Sequence, residues 1–409
     1  MPLSGRTAND NSGDNAAEPE VSARWIEALD RQSTIIMAIF ARAGFEPIAP
    51  PVIQPAEVFL DVIGEDLRAR TYVFTDPEGA ELCLRPDLTI PACRLYLQRH
   101  GRDGAPARLA YNGVVFRYQP AGASLARPRE FRQAGIESFA AGDPAKAEAE
   151  ILALSVESVR AAGLRAFRVH IGDLGLFNAL LAGMAMPERW RARLRHYFWQ
   201  PEAFREHLQR LVKPGTNSHD LPAPMLDRIT DTSTGSRGVA AIERHLEERG
   251  LAVTGTRTLE EIAEHLAGLA QDMRETPLSA RSAELIEAYL SIEAPAAAVP
   301  ERISKLLKGS KIDLEPALRA YEQRLTLAAQ EGIDISQAVF SAGFGRAFEY
   351  YTGFVVEILS PVVGEAGPVC GGGRYDTLVQ AISGTVSVPA VGAAIHSERL
   401  LLAVRGGRP

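Results

Sequence analysis

Five short segments hold the residue types that could do chemistry. The first, Leu84-Arg85-Pro86-Asp87-Leu88-Thr89, sets a carboxylate and a hydroxyl two positions apart. Both are acceptors that a bound ammonium requires, although the same run also reads as a cap for the helix that follows. The second is Val115-Phe116-Arg117-Tyr118-Gln119, a polar loop, and then Arg127-Pro128-Arg129-Glu130-Phe131-Arg132-Gln133-Ala134-Gly135-Ile136-Glu137. A guanidinium such as Arg117 suits two-pronged recognition of a phosphate or carboxylate, where an ammonium does not. Glu137 could accept from a ring N–H, while the arginine density at 117, 127, 129 and 132 also fits a plain charged hairpin.

The third segment places Arg346 before Tyr350 and Tyr351. An arginine among apolar strand residues has to be paired or face a ligand, because an unpaired buried charge is costly; the two tyrosines read equally as core aromatics. The fourth, Gly371-Gly372-Gly373-Arg374-Tyr375-Asp376, lets backbone approach a ligand or another strand closely, or makes a tight turn. The fifth, Pro389-Ala390-Val391-Gly392-Ala393-Ala394-Ile395-His396-Ser397-Glu398-Arg399, ends on a second candidate guanidinium.

Elements able to position these segments follow from periodicity. Trp25, Ile26, Leu29, Ile36, Ile39 and Phe40 repeat at helical spacing, so a helix is expected over 22–43, stopped by Gly44. Residues 45–53 read as an extended edge segment, since proline disfavours a central strand. Two apolar-alternating runs around Asp76-Pro77-Glu78-Gly79 form a hairpin over 72–85. A helix runs from Thr89 through Leu97, and 114–117 pairs with 130–139 around a polar loop. Asp143-Pro144 opens a helix to Arg160, ended by Gly163, and a strand follows at 167–171.

From 186 to 330 the texture turns to amphipathic Leu/Ala/Glu/Arg stretches at 242–246, 259–273, 280–292 and 314–329. Strand patterns resume at 338–344 and 353–358. Strands in hairpins predict an α+β fold, a mostly antiparallel sheet flanked by helices. No glycine-rich strand-to-helix turn marks a doubly wound nucleotide fold.

Composition sets the outer limits. The chain has 409 residues, 46% of them hydrophobic, ample for a large core. No apolar run approaches the ~20 residues of a membrane span, and residues 1–19 are polar with no secretory core, so a disordered tail is expected. Three scattered cysteines, Cys83, Cys93 and Cys370, suit reduced thiols in a cytoplasmic protein. Eight histidines show no ligand spacing, so no metal site is expected. A net charge of −7 argues against a general nucleic-acid binder.

Taken together and in order, the five segments resemble the catalytic domain of the histidyl-tRNA synthetases, a class II aminoacyl-tRNA synthetase family, over roughly 25–180 and 335–405. With the compositional tail and the change of texture, this gives an expected domain plan of a tail at 1–20, a synthetase-like domain at 21–185 and 331–409, and a helical region at 186–330, inserted into or appended beside the sheet domain. It implies a histidine pocket in which Asp87 (glutamate in the family), Thr89 and Gln133 hold the amino group. Arg117 and Arg346 meet the anionic groups, and Glu137, Tyr350 and Tyr351 surround the imidazole. The family's nucleotide site maps to Arg117, Gln119, His396 and Arg399. Gln119 replaces a glutamate there and His396 a glycine, so that site is expected to be vestigial.

Only ten residues follow Arg399, where a histidyl-tRNA synthetase carries its anticodon-reading domain. That combination resembles the regulatory subunits of ATP phosphoribosyltransferase, the synthetase-like partners used in histidine biosynthesis. The implied protein is non-catalytic, needs no cofactor and binds neither tRNA nor membrane. It would be a homodimer within a hetero-oligomer, a hetero-octamer with the short-form catalytic subunit, and would take histidine as effector. The rival expectations are a truncated or paralogous synthetase-like enzyme forming histidyl-adenylate, and a free-standing amino-acid-binding module.

Overall fold

A computed structural model describes residues 22–60, 65–101, 104–213, 274–344 and 350–408, with a few positions between 239 and 272. The expected tail and the amphipathic stretches at 242–246 and 259–273 fall wholly or largely outside these residues.

Helix α1 (Ala23–Arg42) begins where Ser22 Oγ accepts from Trp25 N–H at 3.3 Å and buries Trp25, Leu29, Ile36, Ile39 and Phe40. Gly44, at φ 83°, supplies the left-handed residue that ends it. The extended segment then divides. Strand β1 (Glu46–Ile48) joins the main sheet parallel to β5 (Ala107–Phe116), while β2 (Ile53–Pro55) joins a second sheet. Pro50 and Pro51 between them donate no ladder hydrogen bonds, which is why one strand does not continue through both. In that second, three-stranded sheet β4 (Glu81–Leu84) lies between β2 and β3 (Val73–Thr75), the predicted hairpin.

Among the described residues, nine strands make the main sheet, in the order β1-β5-β6-β12-β11-β10-β7-β9-β8. The remaining members are β6 (Glu130–Phe139), β7 (Arg168–Asp173), β8 (Glu293–Pro295), β9 (Ala338–Ser341), β10 (Phe354–Leu359), β11 (Cys370–Arg374) and β12 (Ala390–His396). Pairing is antiparallel except for β1–β5 and β7–β9. The fold is therefore the expected α+β arrangement. Two helices supply site residues or their support: α2 (Thr89–His100), and α3 (Pro144–Ala161), whose Asp143 cap accepts from Lys146 N–H at 3.2 Å.

The chain forms two compact units, Met1–Leu180 with Leu290–Pro409, and Leu181–Tyr289. In the second, α4 (Glu188–His196), α5 (Pro201–Val212) and α6 (Ala280–Leu290) are helices, and Asp272 gathers Arg189, Arg193 and the Trp190 indole. Residues 290–330 carry the texture of the expected insertion but fold with the sheet unit. Strand β8 is too short and proline-terminated to show in the pattern, and α7 (Glu315–Gln330) packs on α3. That helix joins a buried ion network. Arg324 bridges Glu148 of α3 and Asp173 of β7, and Arg374 binds Glu148 at 3.0 Å and Asp376 at 2.7 Å. The final helix α8 (Ser397–Val404) leads away from β12.

A candidate amino-acid site

Side chains from five parts of the sheet unit converge on one polar cavity. Asp87 and Thr89 come from the entry to α2, Arg117 from the residue after β5, and Gln133 from β6. Tyr350 and Tyr351 come from the turn before β10, while His396 and Arg399 come from the β12–α8 junction.

Asp87 is buried, and its two oxygens have different duties. Oδ1 accepts from Ile90 N–H at 3.3 Å at the start of α2, while Oδ2 is buried with no partner among the described residues. Gln133 Oε1 is likewise buried and unpartnered. Leaving a buried acceptor unpaired costs about 1–3 kcal/mol, so two on one cavity wall mark a place for a donor. Burial pushes the Asp87 carboxyl up to about 6, against the opposing pull of the Arg117 guanidinium and of the Ile90 and Thr89 backbone N–H groups.

Glu137 lies behind the wall, not on it. Its Oε1 accepts from Thr89 Oγ at 2.8 Å and from the Tyr111 hydroxyl at 2.8 Å, and Oε2 accepts from the Tyr375 hydroxyl. Burial raises its carboxyl to about 7, held back by those three hydroxyls and raised further by Asp87. Sheet packing fixes the cluster. Gly392 of β12 sits opposite Glu137 in register, and a Cβ there would lie 1.6 Å from Glu137 Oε2. Gly372 similarly admits the Gly392 carbonyl, which a Cβ would meet at 2.2 Å.

The cationic side is built from fixed guanidiniums. Arg117 Nε donates to Pro86 C=O at 2.8 Å, and its guanidinium lies 5.1 Å from the Phe131 ring centroid. Arg399 Nε donates to Ala126 C=O at 2.8 Å and Nη1 to Pro368 C=O at 3.2 Å. His396 stacks on Phe131 with ring centroids 4.0 Å apart and 7° between planes. Burial, with Arg399 and Arg117 nearby, pushes its imidazole well below the usual histidine range, so it is neutral.

The cavity thus brings Asp87, Thr89, Arg117, Gln133, Tyr350, Tyr351, His396 and Arg399 together, with Glu137 one hydroxyl behind. Gln119 is not on its wall: Oε1 accepts from Arg70 at 2.8 Å, and Nε2 donates to Pro128 C=O at 3.0 Å. Arg346 lies outside the described residues. Sequence reasoning gave no role to Tyr111, Tyr375 or Gly392. Tyr375 stood in the 371–376 run, but it reaches Glu137 across 238 residues of chain.

The architecture is that of a class II aminoacyl-tRNA synthetase-like domain. A solved structure described as an ATP phosphoribosyltransferase regulatory subunit/histidyl-tRNA synthetase from Bacillus halodurans superposes with a TM-score of 0.66 at 23% identity, covering 96% of this chain and 82% of that one. A histidyl-tRNA synthetase from a Nostoc species gives 0.60 at 19% identity, covering 98% and 77%.

The family model for histidyl-tRNA synthetase matches residues 19–279 and 266–400. Curated relatives are more alike in sequence. The ATP phosphoribosyltransferase regulatory subunit of Agrobacterium fabrum is 34% identical over 372 residues, covering 90% of this chain and 95% of that protein. That of Rhizobium meliloti is 33% identical over 379 residues, covering 91% and 96%. The chain belongs to the histidyl-tRNA synthetase family, among the ATP phosphoribosyltransferase regulatory subunits. Among the described residues, no helix is long and apolar enough to cross a membrane.

Proposed function

We propose that this chain is a non-catalytic regulatory subunit of ATP phosphoribosyltransferase that binds histidine and conveys its level to the catalytic subunit. The observation that carries the reading is a pair of buried acceptors without a partner among the described residues, Asp87 Oδ2 and Gln133 Oε1, on the wall of a cavity with arginines Arg117 and Arg399. An amino acid is a zwitterion, and this wall offers acceptors for its ammonium and guanidiniums for its carboxylate. Tyr350 and Tyr351 supply aromatic surface for a ring, and Thr89 and Tyr375 present hydroxyls already polarised by Glu137. Arg346 joins the carboxylate side in this proposal.

The names of the curated relatives support the partner, a catalytic subunit of ATP phosphoribosyltransferase. In the assembly the chain is a homodimer within a hetero-oligomer, acts in the cytoplasm and takes no part in tRNA charging. Its domain plan is a synthetase-like core with the helical unit inserted.

A second reading, an enzyme forming histidyl-adenylate, is favoured by one observation: Arg117 and Arg399 both line the cavity. Histidine-dependent exchange of pyrophosphate into ATP separates the two. The regulatory reading expects calorimetric binding of histidine without ATP and exchange at background. Exchange above background, or no histidine binding by the chain alone or with its catalytic subunit, overturns it.

A further inference from the structure

The His396 imidazole lines the cavity but makes none of the proposed contacts to histidine. It lies flat on Phe131 at 4.0 Å, the same ring that the Arg117 guanidinium approaches at 5.1 Å. His396, Arg117 and Arg399 all line the cavity. An aromatic face with guanidiniums beside it is the environment that a flat heteroaromatic ring carrying phosphates requires: stacking for the ring and fixed cations for the anion. Here the protein's own ring covers that face. It is held in place, because it is 6% exposed and its Nδ1 accepts from Arg399 N–H at 3.4 Å in the first turn of α8.

We infer that His396 is a specificity-determining plug, whose ring takes the stacking position on Phe131 and so keeps purine nucleotides out of a cavity that admits a free amino acid. The second half of that statement rests on the proposed amino-acid site; the first rests on the stack alone. Substrate choice in such a cavity is set by which groups find the aromatic face already filled, since a second ring cannot share the same 4.0 Å contact. Removing the imidazole clears the face and leaves Asp87, Thr89 and Gln133 on their own elements.

The test is titration calorimetry with ATP, AMP, inorganic triphosphate and histidine against the full chain and two variants, His396→Gly and His396→Asn. Asparagine retains a side-chain acceptor for the start of α8, so the test stands if glycine frays that helix. The expected result is an affinity gain of about tenfold or more for ATP and AMP in both variants, in keeping with stacking of one base. Inorganic triphosphate should be unchanged, since no stacking partner is altered for it.

Equal nucleotide affinity in parent and variants overturns the plug, as does a triphosphate gain matching that of ATP. Histidine failing to bind all three proteins while the nucleotide gain appears counts against the amino-acid site and leaves the plug standing.

Discussion

Replacing Asp87 by asparagine should make the unliganded protein more stable and its ligand weaker, two effects with one cause. Burial lifts this carboxyl from 3.8 to about 6 in the folded chain. A carboxyl raised by folding favours the native state below its unfolded value, and that advantage is lost as pH rises through about 6. Near neutral pH the folded protein therefore carries an ionised, incompletely solvated group. The two-unit rise, already net of the attraction of Arg117, corresponds to on the order of 3 kcal/mol. Asp87→Asn should gain roughly 1–3 kcal/mol in denaturant unfolding near neutral pH, a gain that disappears as both proteins become neutral below pH ~4.

The same change removes the charged acceptor Oδ2, and a hydrogen bond to a charged group contributes about 1.5–3 kcal/mol. Histidine affinity by calorimetry should fall about 10- to 150-fold. With a carboxyl near 6, parent binding should weaken about fourfold at pH ~5.5 relative to pH ~7.5 from this group alone. The variant should lack that component, and comparing the two proteins cancels the ligand's own titration. A variant that is less stable near neutral pH, or that binds histidine within about threefold of the parent, would refute the reasoning.

Further predictions follow from the packing around the site. Gly392→Ala would put a Cβ 1.6 Å from Glu137 Oε2 and 2.6 Å from Ile136 C=O, so thermal unfolding should show a loss of roughly 3 kcal/mol or more; a loss under about 1 kcal/mol would contradict the geometry. Arg324→Met strips a partner from Glu148 and from Asp173, both buried, and should cost ~3–5 kcal/mol, partly recovered by adding Asp173→Asn. Tyr375→Phe removes a hydroxyl that donates to Glu137; carbon NMR should find that carboxyl titrating above its parent value of about 7, and an unmoved value would speak against the hydroxyl cluster. Light scattering should give at least twice the 44.2 kDa of one chain, where a clean monomer at micromolar concentration would count against the dimer.

Local chemistry made much of this architecture readable. The α1 periodicity, the Asp143-Pro144 start of α3 and the 72–85 hairpin each carry their signal within a few residues. Strand β8 does not, because Glu-Ala-Pro becomes a strand only by pairing with β9. The same divide runs through the site. Asp87, Thr89, Arg117 and Gln133 stood in runs that name their chemistry. Glu137 was legible as a carboxylate but not as one shielded by three hydroxyls. That shielding is created by strand register, which sets Gly392 against Glu137 and brings in Tyr111 from β5 and Tyr375 from just after β11. Gln119 shows the converse: its motif position suggested the nucleotide site, yet Arg70, far from that motif, ties its amide away from the cavity.

The most direct measurement is phosphoribosyl transfer by the catalytic subunit, assayed alone, with this chain, and with this chain plus histidine. The two proteins should co-purify, activity should change on adding the chain, and histidine should inhibit the mixture. Inhibition should be relieved by Asp87→Asn while assembly persists, and ligands of the catalytic subunit that alter histidine affinity should do so reciprocally. Two proteins that neither associate nor change each other's activity, or a mixture indifferent to histidine, would contradict the regulatory reading.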